Sequence, residues 1–265
     1  MTEDSRRLAG AIVVDDLAVA EAAVRAAVQA ARAARAAAGG RLATRSKGVS
    51  ADVVTEADGA AEAAAAEMIA RLRPGDAILG EEGTRTGGAG RRWVLDGIDG
   101  SAAFAAALSG GWCSAVALED SDGPLAAAVL DPATGELAAA GRGRATTVGG
   151  RPAQVGPARP LAEAHVATFL RQDRLVAPGV RATGHALFDA AGLVRHAGPG
   201  SLELAWVAAG RLDGWMQPEV DPWDWLPGAL LVREAGGEAR IVDGGTRWHL
   251  AGPPQLVAEL EALVR

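Results

Sequence analysis

The residues of this chain best placed to do chemistry lie between Trp93 and Gly111, in the run WVLDGIDGSAAFAAALSGG. Trp93-Val94-Leu95 is apolar and ends on Asp96, and Asp99 follows after two residues, so the pattern predicts a buried strand delivering two carboxylates to one place. Like charges so close repel unless a cation sits between them, and a hard divalent ion with oxygen ligands is the usual partner. Gly100-Ser101 then opens the run Ala102 to Leu108, which reads as a short helix with Ser101 as its N-cap. Free N–H groups at such a helix start, beside a glycine, form an anion site. One segment would thus hold a metal and a phosphate. Taken alone, the same residues are equally well explained by a tight Asp-Gly turn between a strand and a helix.

Acidic groups elsewhere add to the pattern. Glu81-Glu82 follows the apolar strand Ala77-Ile78-Leu79-Gly80, and Trp223-Asp224 precedes an apolar helix ending in Glu234-Ala235-Gly236-Gly237. Gly80-Glu81-Glu82, Asp96-Gly97-Ile98-Asp99-Gly100-Ser101 and Trp223-Asp224, in this order, resemble the motifs of the inositol monophosphatase family of metal-dependent phosphomonoesterases. The resemblance covers nearly all of residues 16 to 260. It implies a layered αβαβα sandwich of the α+β class, two or three Mg²⁺ ions, a small phosphorylated metabolite as substrate, and a homodimer.

The resemblance also implies roles. Glu81, Asp96 and the Ile98 carbonyl would hold one ion, and Asp96, Asp99 and Asp224 a second. A third, weaker ion would sit near Glu81, with Asp58 acting through water. Ser101, supported by Asp58, would orient the attacking water, which makes Asp58, Glu81 and Ser101 the catalytic candidates. Gly100, Ser101, Gly198, Gln217 and Asp224 would contact substrate, and Lys47 and Glu82 are further candidates. Asp58 also has a structural reading, because Thr55 to Asp58 has the form of a helix capping box.

Departures from the family pattern bear on substrate. Gly97 replaces the usual proline and is expected to loosen the loop between Asp96 and Asp99, and Ala103 stands where Asn is common. Gln217 occupies the position where inositol-specific members carry a glutamate, and Pro199 removes a backbone N–H. Pro227 is compatible with a helix that begins near Asp224, with the proline in its first turn. Inositol phosphate itself is accordingly disfavoured, and the expected substrate is a small polyol (cyclitol), sugar, amino alcohol or nucleotide phosphate, with histidinol phosphate or a 3′-phosphonucleotide as the alternative. A reading of another class is a binding or regulatory protein that kept the fold while its loops changed.

These residues need a scaffold. An Ala-rich helix is predicted from Asp15 to Ala38, its Arg25, Arg32 and Arg35 forming a solvated face, and a second runs from Thr55 to about Leu72. Ser114–Leu118, Leu125–Leu130 and Leu137–Ala140, separated by turn signals, predict an antiparallel meander with a further strand at Ala145–Val148. Beyond a polar crossing at 154–160, strands at Ala164–Thr168, Leu212–Met216 and Ala239–Val242 alternate with helices from Ser201 to Ala209 and after Asp224. The reading divides the chain into an N-terminal half, 1–152, and a C-terminal half, 153–265. Cys113, the single cysteine, lies in an apolar flank and reads as core; Trp93 and Trp206 read likewise. The four histidines read as structural or exposed, and Trp215, Trp223 and Trp225 as candidates to wall a pocket. A net charge of -7 argues against broad nucleic-acid binding. The start has no secretion signal and no apolar run is long enough to span a membrane, so a cytoplasmic location is expected.

Overall fold

The computed structural model describes residues 15–46 and 53–264. Lys47 and the segment after it, to residue 52, lie outside the described residues.

Two helices form one outer layer. Helix α1 (Asp16–Ala37) buries Val19, Ala20, Ala23, Val24, Ala27, Val28 and Ala31, a stripe at helical spacing whose alanines allow close approach to its neighbour. That neighbour, α2 (Glu56–Leu72), follows a short hairpin of β1 (Arg45–Ser46) and β2 (Val53–Val54) and opens on the predicted capping box at Thr55 and Asp58. The solvated-face reading of the α1 arginines fails at Arg35. Its guanidinium lies 4.1 Å over the Phe104 ring, because the helix end leans on the chain just past Asp99.

Beneath these helices lies an eight-stranded sheet of β3 (Ala77–Gly80), β4 (Arg85–Thr86), β5 (Arg92–Asp99), β6 (Cys113–Asp120), β7 (Gly123–Leu130), β8 (Leu137–Gly141), β9 (Arg144–Val148) and β10 (Arg151–Pro152). Its order is β10-β9-β8-β7-β6-β5-β3-β4, with β3 and β5 parallel, β6 to β9 the predicted meander, and β4 and β10 short antiparallel edge strands that were not expected. Strand alternation sorts the side chains into two cores. In β6, Val116 and Leu118 face α1 and α2, whereas Cys113, Ala115 and Ala117 face the opposite layer; β7 alternates likewise, with Ala126, Ala128 and Leu130 on the first side and Ala127 and Val129 on the second.

That opposite layer consists of α5 (Gly200–Ala208) and α6 (Pro222–Glu234), apolar on nearly all sides because a sheet covers each face. The second sheet holds β11 (His165–Thr168), β12 (Leu193–His196), β13 (Gly214–Pro218), β14 (Glu238–Asp243) and β15 (Arg247–Gly252) in the order β12-β11-β13-β15-β14. Its outer face meets α4 (Val180–Ala190) and α7 (Pro254–Glu261) through Leu187, Leu256, Val257 and Leu260. The layers thus follow as helix, sheet, helix, sheet, helix, the expected α+β sandwich. The cluster holding α5 and α6 draws side chains from both sheets, including Ala117 and Val129 on one side and Trp215 and Ala251 on the other.

Two local expectations are corrected. Helix α6 begins at Pro222, so Pro227 sits in its second turn and has no N–H to give the Trp223 carbonyl. Gly97 does not loosen anything: β5 continues through it to Asp99, it is buried, and a Cβ there would come within 2.6 Å of the Glu62 backbone nitrogen. Glycine is what lets α2 lie this close to β5.

Candidate active site

Strand alternation alone would put Asp96 and Asp99, three residues apart, on opposite faces of the sheet. A bulge prevents this. Asp96 is opposite Ala115 and Asp99 opposite Cys113, so β5 spends one residue more than β6 across this interval. Both acids therefore share the face of Ala115 and Cys113, towards the middle helix layer. Asp224 comes from that layer, in the first turn of α6. One ligand atom from each of Asp96, Asp99 and Asp224 lies within 4.8 Å of the other two. Glu81 joins them because β3 runs parallel to β5 with Gly80 beside Leu95, which sets the next residue next to Asp96.

These four acids border one cavity of about 420 Å³ that Ile98, Gly100, Ser101, Gly198 and Gln217 also line. Asp96 is buried, and Asp99 and Asp224 are partly open to the cavity. Burial, and after it the charge of Glu81, raises the Asp96 carboxyl well above the carboxylate range. Burial and then the charge of Asp99 do the same to Asp224. Asp99 is raised to about 6, chiefly by burial, against the opposing effect of the Ser201 N–H, which donates to its Oδ2 at 2.8 Å. A buried acidic cluster with raised proton affinity is one that a divalent cation would neutralise.

Behind this cluster stands a second tier. The Thr55 N–H and hydroxyl hold Asp58 Oδ2 at 2.8 and 2.6 Å, leaving Oδ1 to accept a short hydrogen bond from the Ser101 hydroxyl. Ser101 Oγ is also 3.1 Å from the Ile98 carbonyl oxygen. Asp58 therefore caps its helix and holds Ser101 at once. Ser101 is not the N-cap that its sequence suggested: Gly100 takes that position with φ of 99°, and α3 (Ser101–Ala105) is only five residues long. A Cβ at Gly100 would collide with the Gly111 carbonyl oxygen, so the turn demands glycine.

Several positioning groups escaped the sequence reading. Glu62, buried on α2, accepts the N–H groups of Glu82 and Thr84 at 2.5 and 2.8 Å and so fixes the turn that presents Glu81. Its signal was available, since Glu62 follows Asp58 by four residues on the same helical face. Glu82 does not line the cavity, and its backbone is its link to Glu62. Cys113 is core as expected, yet its thiol also lies 3.8 Å from Asp99 Oδ2. Glu203, buried on α5, accepts from Arg195 Nε and from Gly198 N–H, both at 2.9 Å, and anchors the loop before Ser201.

The tryptophans do not wall the cavity. Trp215 and Trp225 stack with centroids 6.0 Å apart in the core, and His249 meets Trp225 edge-on at 4.9 Å. Burial there lowers the His249 imidazole to about 4, which makes it a neutral core residue at pH 7. Trp206 is only partly buried, under the Arg195 guanidinium. No helix among the described residues is long and apolar enough to cross a membrane.

Layer order, bulge and converging acids define a sandwich of the sugar-phosphatase type with a site suited to a metal ion. The family model described as the inositol monophosphatase family matches residues 15–263, and the chain belongs to that family. It is 35% identical over 206 residues to an inositol-1-monophosphatase of Rhizobium meliloti (strain 1021), covering 76% of this chain and 77% of that protein. It is 33% identical over 223 residues to the Nus factor SuhB of Escherichia coli (strain K12), covering 81% and 83%. Among solved structures, the extragenic suppressor protein suhB of Bartonella henselae superposes with a TM-score of 0.82 at 28% identity, over 94% of this chain and 98% of that one.

Proposed function

We propose that this chain hydrolyses a small phosphomonoester with Mg²⁺ as cofactor. The observation that carries the reading is the convergence of Asp96, Asp99 and Asp224 within 4.8 Å, beside Glu81, from three separate parts of the chain. Glu81, Asp96 and the Ile98 carbonyl are assigned to one ion, and Asp96, Asp99 and Asp224 to another. Mg²⁺ in such a site supplies Lewis acidity towards the phosphoryl and leaving oxygens and lowers the pKa of water. The rest is done by the chain. Ser101, its hydroxyl held by Asp58, orients the attacking water, and Thr55 keeps Asp58 from turning away. The backbone of Gly100 and Ser101 contacts the phosphoryl oxygens, while Gly198 and Gln217 contact the leaving group on the far wall. Sugar, amino alcohol and nucleotide phosphates fit this reading, as do histidinol phosphate and 3′-phosphonucleotides, and a homodimer is part of it.

The relatives named as a Nus factor motivate a second reading, a binding protein that retained the fold. One experiment separates the two: a panel of phosphomonoesters with and without Mg²⁺. Turnover of at least one ester that is abolished by EDTA is expected. Absence of turnover throughout, at saturating Mg²⁺, would overturn the catalytic reading and leave the binding one.

A further inference from the structure

We infer that the cavity contains a second anion-binding point, made by Arg174 with Arg171 beside it, and that the leaving group of the substrate carries a negative charge of its own. The inference rests on the phosphomonoesterase reading above and adds to it the class of the leaving group, a carboxylate or a second phosphate.

Both arginines lie between β11 and α4, and both border the cavity that holds the acids. Their surroundings differ. Arg171 is tied to Asp173 by a fork, Nε to Oδ1 at 3.1 Å and Nη2 to Oδ2 at 2.9 Å, and its charge is close enough to act on Asp224. Arg174 has only two distant ion pairs, Nε at 3.8 Å from Asp173 and Nη2 at 3.9 Å from Asp221. Neither distance is a hydrogen bond. Among the described residues its guanidinium therefore has charge partners but no acceptor for its five N–H donors. It is nevertheless two-thirds covered, with 33% of the side chain exposed.

The neighbouring acids do not compete for it. Asp173 is taken by Arg171, and Glu219 is held by Arg247 through the backbone N–H at 2.8 Å and the guanidinium at 2.9 and 3.2 Å. Gln217 on the same wall is uncharged, and its Oε1 is buried without a partner. Among the described residues Asp221, half-exposed, has no other ion-pair partner near Arg174, whereas Asp173 and Glu219, which also feel its charge, are each already bound to another arginine. A structural latch between Arg174 and Asp221 would contribute little at that distance and exposure. An anion reaching Arg174 would instead find N–H donors without an acceptor, and would have to displace no hydrogen bond of Asp173, Glu219 or Asp221 to take them. The cavity suits a compact leaving group of this kind, and Phe169 and Val220 give its carbon skeleton an apolar strip.

The test uses the full chain with paired compounds. Glycerol 3-phosphate is compared with 3-phosphoglycerate, which adds a carboxylate, and glucose 1-phosphate with glucose 1,6-bisphosphate, which adds a phosphate. kcat/KM is measured with Mg²⁺, and Kd by calorimetry for the corresponding methylenephosphonates, which cannot be hydrolysed. In at least one pair the charged member should be preferred roughly tenfold or more in both measurements, as one charge-assisted hydrogen bond supplies. The pair with the larger ratio identifies the anion. Arg174→Gln should bring that ratio near one, Arg174→Lys should keep part of it, and Asp221→Asn should raise it. A ratio of one or below in the parent chain, or a ratio unmoved by Arg174→Gln in a variant with unchanged melting temperature, overturns the inference. Preference among the phosphonates without any turnover would leave this binding point standing and overturn the phosphatase reading. Turnover with no preference would do the reverse.

Discussion

Replacing Asp224 with asparagine tests the fold and the chemistry together. Two carboxylate oxygens 4.8 Å apart repel by about 3.5 kcal/mol at an effective dielectric near 20, and Asp224 has two such neighbours in Asp96 and Asp99. Protonation caps that penalty, because burial raises all three carboxyls, Asp99 to about 6. A carboxyl raised in the folded state contributes stability that is complete below its unfolded pKa and is lost as pH rises through the folded one. Without metal, therefore, Asp224→Asn should change little at about pH 3.5, below the unfolded carboxyl's pKa, and stabilise by ~1–3 kcal/mol at pH 8. For a chain of this size that is a rise in melting temperature of about 3–8 °C. Mg²⁺ at a hundred times its Kd stabilises the parent by ~2.7 kcal/mol, a response the variant should largely lose. Turnover should fall by about 10²–10³, the range for removing one electrostatic stabiliser of a transition state. Melts at pH 3.5 and pH 8 in EDTA, and at pH 8 in Mg²⁺, give the result directly. A variant that melts lower than the parent in EDTA at pH 8, with its Mg²⁺ response intact, would refute the placement of Asp224 among the ligands.

Other substitutions probe the supporting tier. Gly97→Ala drives a methyl into the α2 backbone at Glu62 and should destabilise by about 1–3 kcal/mol or more in urea unfolding, with the metal ligands untouched. Ser101→Thr should keep activity and Ser101→Ala should lose most of kcat with little change in melting temperature, since the hydroxyl and not its packing is what Asp58 holds. Glu62→Ala leaves the N–H groups of Glu82 and Thr84 without their buried acceptor, so the Mg²⁺ concentration for half-maximal activity should rise, whereas Glu62→Gln should have a smaller effect. Burial raises Glu203 from 4.5 to about 7, so its contribution to stability is complete below about pH 4.5 and is lost as pH rises through about 7. Glu203→Gln should remove ~3 kcal/mol of that pH dependence, read from urea midpoints between pH 4.5 and pH 8.

The first half of the molecule was largely legible because its signals are local. Ala and Val at helical spacing place α1, the turn residues around Asp122 and Asp131 punctuate the meander, and Thr55 with Asp58 announces the start of α2. The acids of the site could be named from motif order. What brings Asp96 and Asp99 together could not, since the bulge is a mismatch between β5 and β6 and no property of either strand alone. Gly97 misled for a similar reason: its meaning lies in the α2 backbone beyond it, not in its own flexibility. The segment from 169 to 196 carries no clear period because Arg, Gly and Pro interrupt its apolar residues, and with it went Arg171 and Arg174, whose significance depends on which cavity they face. Pro227 misled because α6 starts at Pro222, two residues before Asp224, which carries the proline past the first turn.

The bearing of α6 on ion capture follows from what surrounds it. Beyond Asp224 the helix is enclosed, with Leu230, Leu231 and Val232 almost wholly covered between the two sheets. Its first turn is carried by that enclosed body, so the backbone beneath Asp224 should keep its place whether or not an ion is present. On the proposed metal-site reading, uptake should then involve no closing motion of α6. Its rate should then be set by how fast the ion sheds water, and ions of different radius would meet the same backbone frame. Exchanging one divalent cation for another should accordingly alter the lifetime of the bound ion far more than the protection of the α6 amides against hydrogen exchange.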